Sequence, residues 1–290
     1  MPQRITGHTE LIGLIATPIR HSKSPMMHNT AFEALGLDYA YLAFDFQPDR
    51  LEDAVKGLKA LGAKGWNVSM PYKTDIIPLL DEISEVSRLC ESVNTVINRD
   101  GKLYGTVTDG TGYMSALADQ GFDIKGKKMT VLGCGGAATA ICIQAALDGV
   151  KEISIFNAND SFFHRAEENA AKINANTDCV AHAYPLEDTE RLRAEIASSA
   201  LLANATNVGM GKLEGVSLIT DKTMLRPDLI CTDVIYTPEE TAFLKLAREA
   251  GCPTMNGTGM VLYQGAASFK LWTGMDMPVE IIKEKYFSKG

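Results

Sequence analysis

The stretch MTVLGCGGAATAICIQAAL, residues 129–147, decides how the rest of the chain is read. Met129 to Leu132 is a short apolar run of the kind that makes a buried strand. Gly133-Cys134-Gly135-Gly136-Ala137 follows at once, and Ala137 to Leu147 continues as small apolar residues long enough for a helix. Each small residue answers a physical need. Gly133 permits the tight turn, Gly135 lets backbone N–H groups approach a pyrophosphate, and Ala137 and Ala140 let helix lie close on strand. A glycine loop alone is a common turn, but this one sits after a strand and before a helix, the context in which such a loop holds a dinucleotide.

Reading outward, strands are predicted at Glu152–Phe156, Cys179–Ala183, Leu201–Ala205 and Ile230–Ile235, with helices at Phe162–Ile173 and Glu239–Ala250 between them. That succession predicts a Rossmann-like doubly wound dinucleotide-binding domain over residues 110–256. Upstream, Leu11–Ile15, Tyr39–Phe46 and Gly65–Met70 read as strands, and Ser24–Leu35 and Asp49–Leu61 as helices, the second with Leu51, Val55, Leu58 and Leu61 at helical spacing. This β-α-β-α-β order predicts right-handed crossovers over a mainly parallel sheet. Two short helical stretches then run to Ser92, Asp100-Gly101 marks a hairpin between Thr95–Asn98 and Leu103–Val107, and Asp109–Gln120 reads as a helix. The fold class is α/β with two domains. Residues 1–109 form a mainly parallel α/β substrate-binding and catalytic domain, and 110–256 the dinucleotide domain. Residues 257–290 form two helices, within Gly259–Lys283, that return to the first domain. A chain crossing twice leads us to expect a cleft between the domains.

The chain has 290 residues, 46% hydrophobic and 22% charged, with 28 Lys plus Arg against 36 Asp plus Glu, a formal balance of −8. An acidic chain lacks the clustered cations that nucleic acid requires. No apolar run approaches the roughly 20 residues of a membrane span, and Met1–Glu10 has no apolar signal core, so a cytoplasmic protein is expected with neither membrane nor nucleic acid as partner. Six cysteines and five histidines are scattered without metal-ligand spacing, so no metal is expected. A homodimer is a candidate assembly, with Leu11–Ile15 or the C-terminal helices as the apolar surface.

Ligands of open α/β sheets collect at the carboxyl ends of strands. In the first domain that edge carries Asn67, Ser69 and Lys73 after one strand, Ser22 and Ser24 after another, Asn94 before Thr95, and Asp109 after Val107. Amides, hydroxyls, a lysine and a carboxylate suit a polyhydroxylated molecule. Oxidising an alcohol with a nicotinamide requires removing the hydroxyl proton as hydride leaves, which a lysine partnered by a carboxylate performs. Lys73 and Asp109 are the pair available for this; taken singly, each reads more readily as a solvated surface charge, as most lysines and aspartates are. In the dinucleotide domain, Phe156-Asn157-Ala158-Asn159-Asp160 ends the second strand without an Arg, the nearest being Arg165 on the following helix. Asp160 suits the ribose hydroxyls of NAD and equally suits an N-cap of that helix.

Ser22-Lys-Ser24-Pro25, Asn67-Val-Ser-Met-Pro-Tyr-Lys73, Asn94-Thr95, Thr108-Asp109-Gly110, the loop at 133–137, Asn204-Ala-Thr-Asn-Val-Gly-Met210, Asp233-Val-Ile-Tyr236 and Gly259-Met-Val-Leu-Tyr-Gln264 occur in one order across nearly the whole chain. Together they resemble the shikimate dehydrogenase family. The resemblance implies NAD(P)-dependent interconversion of shikimate and 3-dehydroshikimate on the route to chorismate and the aromatic amino acids. It implies Lys73 and Asp109 as the catalytic pair and Ser22 and Ser24 on the substrate carboxylate. Asn67, Ser69, Asn94 and Gln264 would hold ring hydroxyls, with Tyr236 and Gly257 near the nicotinamide and substrate. Gly133, Cys134, Gly135, Gly136 and Ala137 would hold the pyrophosphate, with Asn157, Asp160 and Thr206 also on the cofactor. Three positions depart from the family pattern. Val107 precedes Thr108-Asp109-Gly110 where the pattern has Asn. Asn157-Ala158-Asn159 stands where NADP-using members carry Asn-Arg-Thr. Ser69 replaces a common Thr. The last two resemble the quinate/shikimate branch, implying NAD as the favoured cofactor over NADP and quinate as a further substrate. The alternatives are a dehydrogenase of quinate breakdown, a methyltransferase sharing the glycine turn, and a non-catalytic nucleotide- or metabolite-sensing relative.

Overall fold

The computed structural model describes residues 5–20 and 22–287. In chain order the elements are β1 (Glu10–Ala16), α1 (Ser24–Leu35), β2 (Tyr39–Asp45), α2 (Leu51–Ala60), β3 (Gly65–Val68), β4 (Glu82–Ile83), α3 (Glu85–Cys90), β5 (Thr95–Arg99), β6 (Lys102–Thr106), α4 (Asp109–Asp119), β7 (Lys128–Leu132), α5 (Gly136–Leu147), β8 (Glu152–Asn157), α6 (Phe163–Asn176), β9 (Val180–Pro185), α7 (Thr189–Ser198), β10 (Leu201–Asn204), β11 (Ile230–Asp233), α8 (Ala242–Glu249), β12 (Thr254–Met255), α9 (Thr258–Thr273) and α10 (Val279–Tyr286). They fall into two compact units, one of residues up to Thr108 together with those from Leu262 onward, the other Asp109–Val261. No helix among the described residues is long and apolar enough to cross a membrane.

The first unit holds a six-stranded sheet in the order β2-β1-β3-β5-β6-β4. β1 pairs parallel with β2 and β3, while β5 runs antiparallel to both β3 and β6, so the sheet is more mixed than its opening β-α-β-α-β run suggests. The reason is local: Asp100 and Gly101 both adopt positive φ, 52° and 86°, the geometry of a two-residue hairpin turn. Strand alternation sorts side chains onto two faces. Ile15, Trp66, Val68 and Val96 pack with Leu51, Val55 and Leu58 of α2, which recur at i, i+4 and i+7. Ile12, Leu14, Tyr41 and Ile97 join Phe32 of α1, Leu262, Phe269 and Trp272 of α9 and Ile282 of α10 on the opposite face. β1 lies between β2 and β3 with Ile12 and Ile15 fully buried, which corrects the suggestion that Leu11–Ile15 offers a dimer surface. A parallel strand inside a sheet covered on both faces is core.

The second unit is a six-stranded all-parallel sheet in the order β12-β11-β10-β7-β8-β9. Read from β9, this is the doubly wound 3-2-1-4-5-6 arrangement, with the strand order reversing between β7 and β10. α5 buries Ala138, Ala140–Ile143, Ala145 and Ala146, the pattern of a helix that is covered nearly all round. The helix expected from Glu239 starts only at Ala242, because the Thr241 side chain caps it by accepting from the Leu244 N–H.

His28 is fully buried in the first unit, stacked 4.5 Å from Tyr41 and tilted against Trp272, and neither ring nitrogen has a hydrogen-bond partner among the described residues. Desolvation holds its pKa down, from 6.5 to about 3. The folded protein therefore keeps His28 neutral while the unfolded chain takes up a proton below pH 6.5. This group's contribution to stability is present above that pH and lost as pH falls toward 3, at about 1.4 kcal/mol per pH unit. Urea unfolding of wild type and His28→Phe between pH 4 and 7 should show a shallower acid slope in the variant; parallel slopes would contradict the assignment.

Candidate functional site

Two sites are built at carboxyl-end edges of the two sheets, one in each unit. In the first, strand alternation that sends Trp66 and Val68 into one core turns Asn67 toward the other face, where α9 lies. Asn67 is 5% exposed and its carboxamide is fully engaged. Its Oδ1 accepts from the Tyr41 hydroxyl at 2.8 Å, and its Nδ2 donates to the Asn94 carbonyl, Thr95 Oγ1 and Ser268 Oγ at 3.0–3.2 Å. Burial pushes the Tyr41 hydroxyl pKa up, with a hydrogen bond to Ser24 opposing it, so this phenol stays protonated as a donor. Thr95 Oγ1 and Ser268 Oγ lie 2.7 Å apart, and Thr108 Oγ1 is 3.2 Å from Ser268 Oγ. Asn94 Oδ1 accepts from the Thr108 N–H and Oγ1, leaving its Nδ2 toward Gln264 Oε1 at 3.5 Å.

The other residues of this edge are placed by the same strands. The Ser69 N–H donates to the Ile15 carbonyl and its own carbonyl accepts from Tyr72, tying the loop after β3 to β1. The Lys73 carbonyl accepts from Val93 at 2.8 Å, holding this half-buried lysine beside the start of β5. Ser22 Oγ accepts from the Ser24 N–H at 3.2 Å, and both serines are half-buried where α1 begins. Ser22, Ser24, Asn67, Ser69, Lys73, Asn94 and Gln264 thus all belong to the first unit, while Asp109 opens α4 of the second and is half-buried. Tyr41 and Ser268 lie outside the sequence motifs, and Thr95 and Thr108 stand in them without an assigned role. Ser268 lies one helical turn after Gln264, so its position on the same face was available as a signal.

In the second unit a cavity of about 520 Å³ opens over the carboxyl ends of β7, β8 and β10, the place where the strand order reverses. Gly133, Cys134, Gly135, Asn157, Asp160 and Thr206 line it. Gly133 has φ +108°, and a Cβ there would come within 2.8 Å of Thr206 and 3.0 Å of the Ala205 carbonyl, so only glycine lets the β7 turn pass the end of β10. Gly135 is the N-cap of α5 with no side-chain cap, and in front of Gly135 and Gly136 a Cβ would meet nothing within 4 Å. Unsatisfied first-turn N–H groups facing open space fit a pyrophosphate. Gly136 and Ala137 supply that first turn without lining the cavity. Cys134 is buried, its thiol donating to the Phe162 carbonyl at 3.5 Å and raised in pKa by burial against the pull of Arg165, which makes it a packing residue of the loop.

At the end of β8, Asn157 donates to the Ala158 carbonyl, and Asp160 Oδ1 accepts from the Phe162 N–H at 2.8 Å. The helix itself begins at Phe163 without a side-chain cap, so Asp160 closes a turn ahead of the helix rather than serving as its N-cap. Arg165, in the first turn of α6, also lines the cavity. Asp233 is buried between Asn204 (3.1 Å), Thr241 (2.8 Å) and the Ile235 N–H (2.9 Å); burial raises its pKa while these donors oppose the shift. Asn204 also accepts from Thr206 Oγ1 at 2.7 Å, so this network fixes the loops after β10 and β11. Tyr236 follows as an exposed side chain. Gly257 donates to the Ile235 carbonyl at 2.9 Å, and a Cβ there would meet the Val234 carbonyl at 2.0 Å. Neither lines the cavity. Among the described residues no cluster has metal-ligating composition.

Comparisons with known proteins agree over the whole length. Residues 14–96 match the model of the shikimate dehydrogenase substrate binding domain, and residues 257–285 that of the shikimate 5'-dehydrogenase C-terminal domain. Shikimate dehydrogenase (NADP(+)) of Listeria monocytogenes serotype 4b (strain F2365) is 59% identical over 285 residues, 98% of each chain. That of Streptococcus uberis (strain ATCC BAA-854 / 0140J) is 55% identical over 291 residues, 99% of each. The crystal structure of Listeria monocytogenes shikimate 5-dehydrogenase in complex with shikimate and NAD superposes with a TM-score of 0.96 at 59% identity, covering 98% of both chains.

Gly135→Ala should leave the unfolding midpoint unchanged, since its φ of −71° and open surroundings accept a Cβ, yet weaken dinucleotide binding about tenfold by intruding on the phosphate cradle. Gly133→Ala should instead lose about 1–3 kcal/mol of stability. Chemical denaturation and NADH fluorescence titration of both variants check these outcomes.

Proposed function

The chain belongs to the shikimate dehydrogenase family, and on that premise we propose which of its residues bind, orient and move the proton. It is an oxidoreductase that acts on a CH–OH group, interconverting shikimate and 3-dehydroshikimate with a nicotinamide cofactor. The observation that carries this is 59% identity over 98% of both chains to a named shikimate dehydrogenase. A methyltransferase would leave the amide and hydroxyl cluster of the first unit without a role.

A bound nicotinamide would supply hydride transfer, accepting the hydride in oxidation of the alcohol and donating it in reduction of the ketone. Lys73 is the proposed proton carrier, receiving the hydroxyl proton during oxidation and returning it during reduction, with the Asp109 carboxylate as its partner. The hydroxyls of Ser22 and Ser24 donate to the substrate carboxylate, and Ser69, the Asn94 amide and Gln264 hold ring hydroxyls. Asn67 acts from within the protein: its carboxamide is held by Tyr41, Asn94, Thr95 and Ser268, which supports a role in fixing Asn94 and α9 at the edge. Tyr236 and Gly257 are proposed on the nicotinamide side. Expelling water around these groups strengthens each hydrogen bond to the substrate.

Backbone N–H groups at Gly135–Ala137 are proposed to take the pyrophosphate, and Asn157, Asp160 and Thr206 the adenosine side. NAD is the favoured cofactor in this reading: the β8 end carries no Arg, and Asp160 accepts from ribose hydroxyls while repelling a phosphate. Arg165 works in the opposite direction, so NADP remains a substrate. A second reading, oxidation of quinate, is favoured by Ser69, where the absent methyl leaves room for a further hydroxyl.

Steady-state kinetics with shikimate and quinate, each with NAD and NADP, test this. The kcat/KM for NAD should at least equal that for NADP; a large NADP advantage overturns the cofactor preference. Lys73→Ala should lower kcat about 100-fold or more with a smaller change in substrate KM, as loss of a general acid/base requires. An unchanged kcat would remove Lys73 from the mechanism.

A further inference from the structure

The turn that ends β8 is not held by its own residues alone. The Asn159 N–H donates to both carboxylate oxygens of Glu187, at 3.1 and 3.3 Å, and the Asn157 carbonyl accepts from the Leu186 N–H at 2.8 Å. Glu187 thus clamps this turn from the segment after β9, extending the pairing that ends at Asn157 and Pro185. Asn159 lies between Ala158 and Asp160, and Glu187 directly follows Leu186; all three of those neighbours line the dinucleotide cavity. The next carboxylate, Asp188, is occupied elsewhere, accepting from the Arg191 N–H as the cap of α7.

We propose that Glu187 is a specificity-determining and positioning residue for the cofactor, fixing the Asn157–Asp160 turn and adding a second negative charge, beside Asp160, that disfavours a ribose 2′-phosphate. This rests on the nicotinamide-dependent function proposed above. A single backbone N–H does not neutralise a carboxylate, so its field persists where a 2′-phosphate would add about two negative charges. A free 2′-hydroxyl meets no such repulsion and finds acceptors instead. Arg165 supplies the one guanidinium among the lining residues and pulls the other way, so the proposed NAD/NADP balance sets Asp160 in the lining and the exposed Glu187 just outside it against one cation.

Two substitutions separate charge from positioning. Glu187→Gln keeps an oxygen that accepts from Asn159 and removes the charge, whereas Glu187→Ala removes both. Equilibrium titration of the full-length protein with NADH and NADPH, at low and high salt, reads the charge. Glu187→Gln should tighten NADPH about threefold or more, leave NADH within about twofold, and lose most of that gain at high salt. Amide hydrogen exchange of the cofactor-free protein reads the clamp: Asn159 should exchange faster in Glu187→Ala, with protection retained in Glu187→Gln, and Glu187→Ala should weaken both cofactors. An unchanged NADPH/NADH ratio in Glu187→Gln overturns the specificity role, and equal exchange in all three proteins overturns the clamp. Both readouts stand apart from turnover. A wild type that binds the nucleotides but does not oxidise shikimate would contradict the function and leave this result intact; a wild type favouring NADPH, whose preference Glu187→Gln enlarges, would contradict the NAD preference and support Glu187.

Discussion

The buried carboxamide of Asn67 is the constraint on which the first unit's site depends. An amide taken out of water costs about 1–3 kcal/mol for each unpaired group, so the fold must bring partners to it. It does so with four residues: Tyr41 on β2, the Asn94 carbonyl before β5, Thr95 on β5 and Ser268 on α9. Satisfying one side chain therefore sets the register of the strand edge and docks the C-terminal helix on it. Ser268 lies 201 residues from Asn67, and its hydroxyl also contacts Thr95 and Thr108. The hydroxyls and amides that face a ligand are positioned by hydrogen bonds that themselves face inward.

The second unit solves a different problem, the approach of anionic phosphate to a protein of net charge −8. The proposed answer is backbone dipoles, rather than side-chain cations, at the uncapped start of α5. That requires the β7 turn to run close against the end of β10, which the positive φ of Gly133 allows. The loops after β10 and β11 are then held by the Asn204–Asp233–Thr241 network, in which a buried carboxylate is tolerated because three donors converge on it. Three charged groups, Asp160, Arg165 and Glu187, stand near the end of β8, where the proposed charge selectivity would act.

Much of this architecture was legible along the chain. α1 spans Ser24–Leu35 as its pattern indicates, Asp100-Gly101 forms the hairpin turn, and the glycine loop sits at the reversal of strand order. The less successful readings share a cause. Leu11–Ile15 reads as an apolar segment whether it lies in a core or at a surface, and only its place between β2 and β3 tells which. Arg165 is placed by sequence only on the helix after the strand end, and where α6 begins, not its spacing from β8, brings it to the cavity. Asp160 suits ribose hydroxyls and an N-cap equally in sequence, and α6, which begins at Phe163 without a side-chain cap, removes the N-cap.

The sequence by itself determined the alternation of strands and helices, the glycine turn between β7 and α5 and the family, since each is written in local periodicity or in short contiguous motifs. Tertiary structure alone decided that Asn67 faces α9, that Ser268 completes its hydrogen bonds, and that Glu187 holds the Asn159 amide. The physical reason is range. Turn chemistry and side-chain periodicity depend on neighbours a few residues away, whereas the partner of a buried polar group is fixed by sheet order and register, which join residues far apart in the chain.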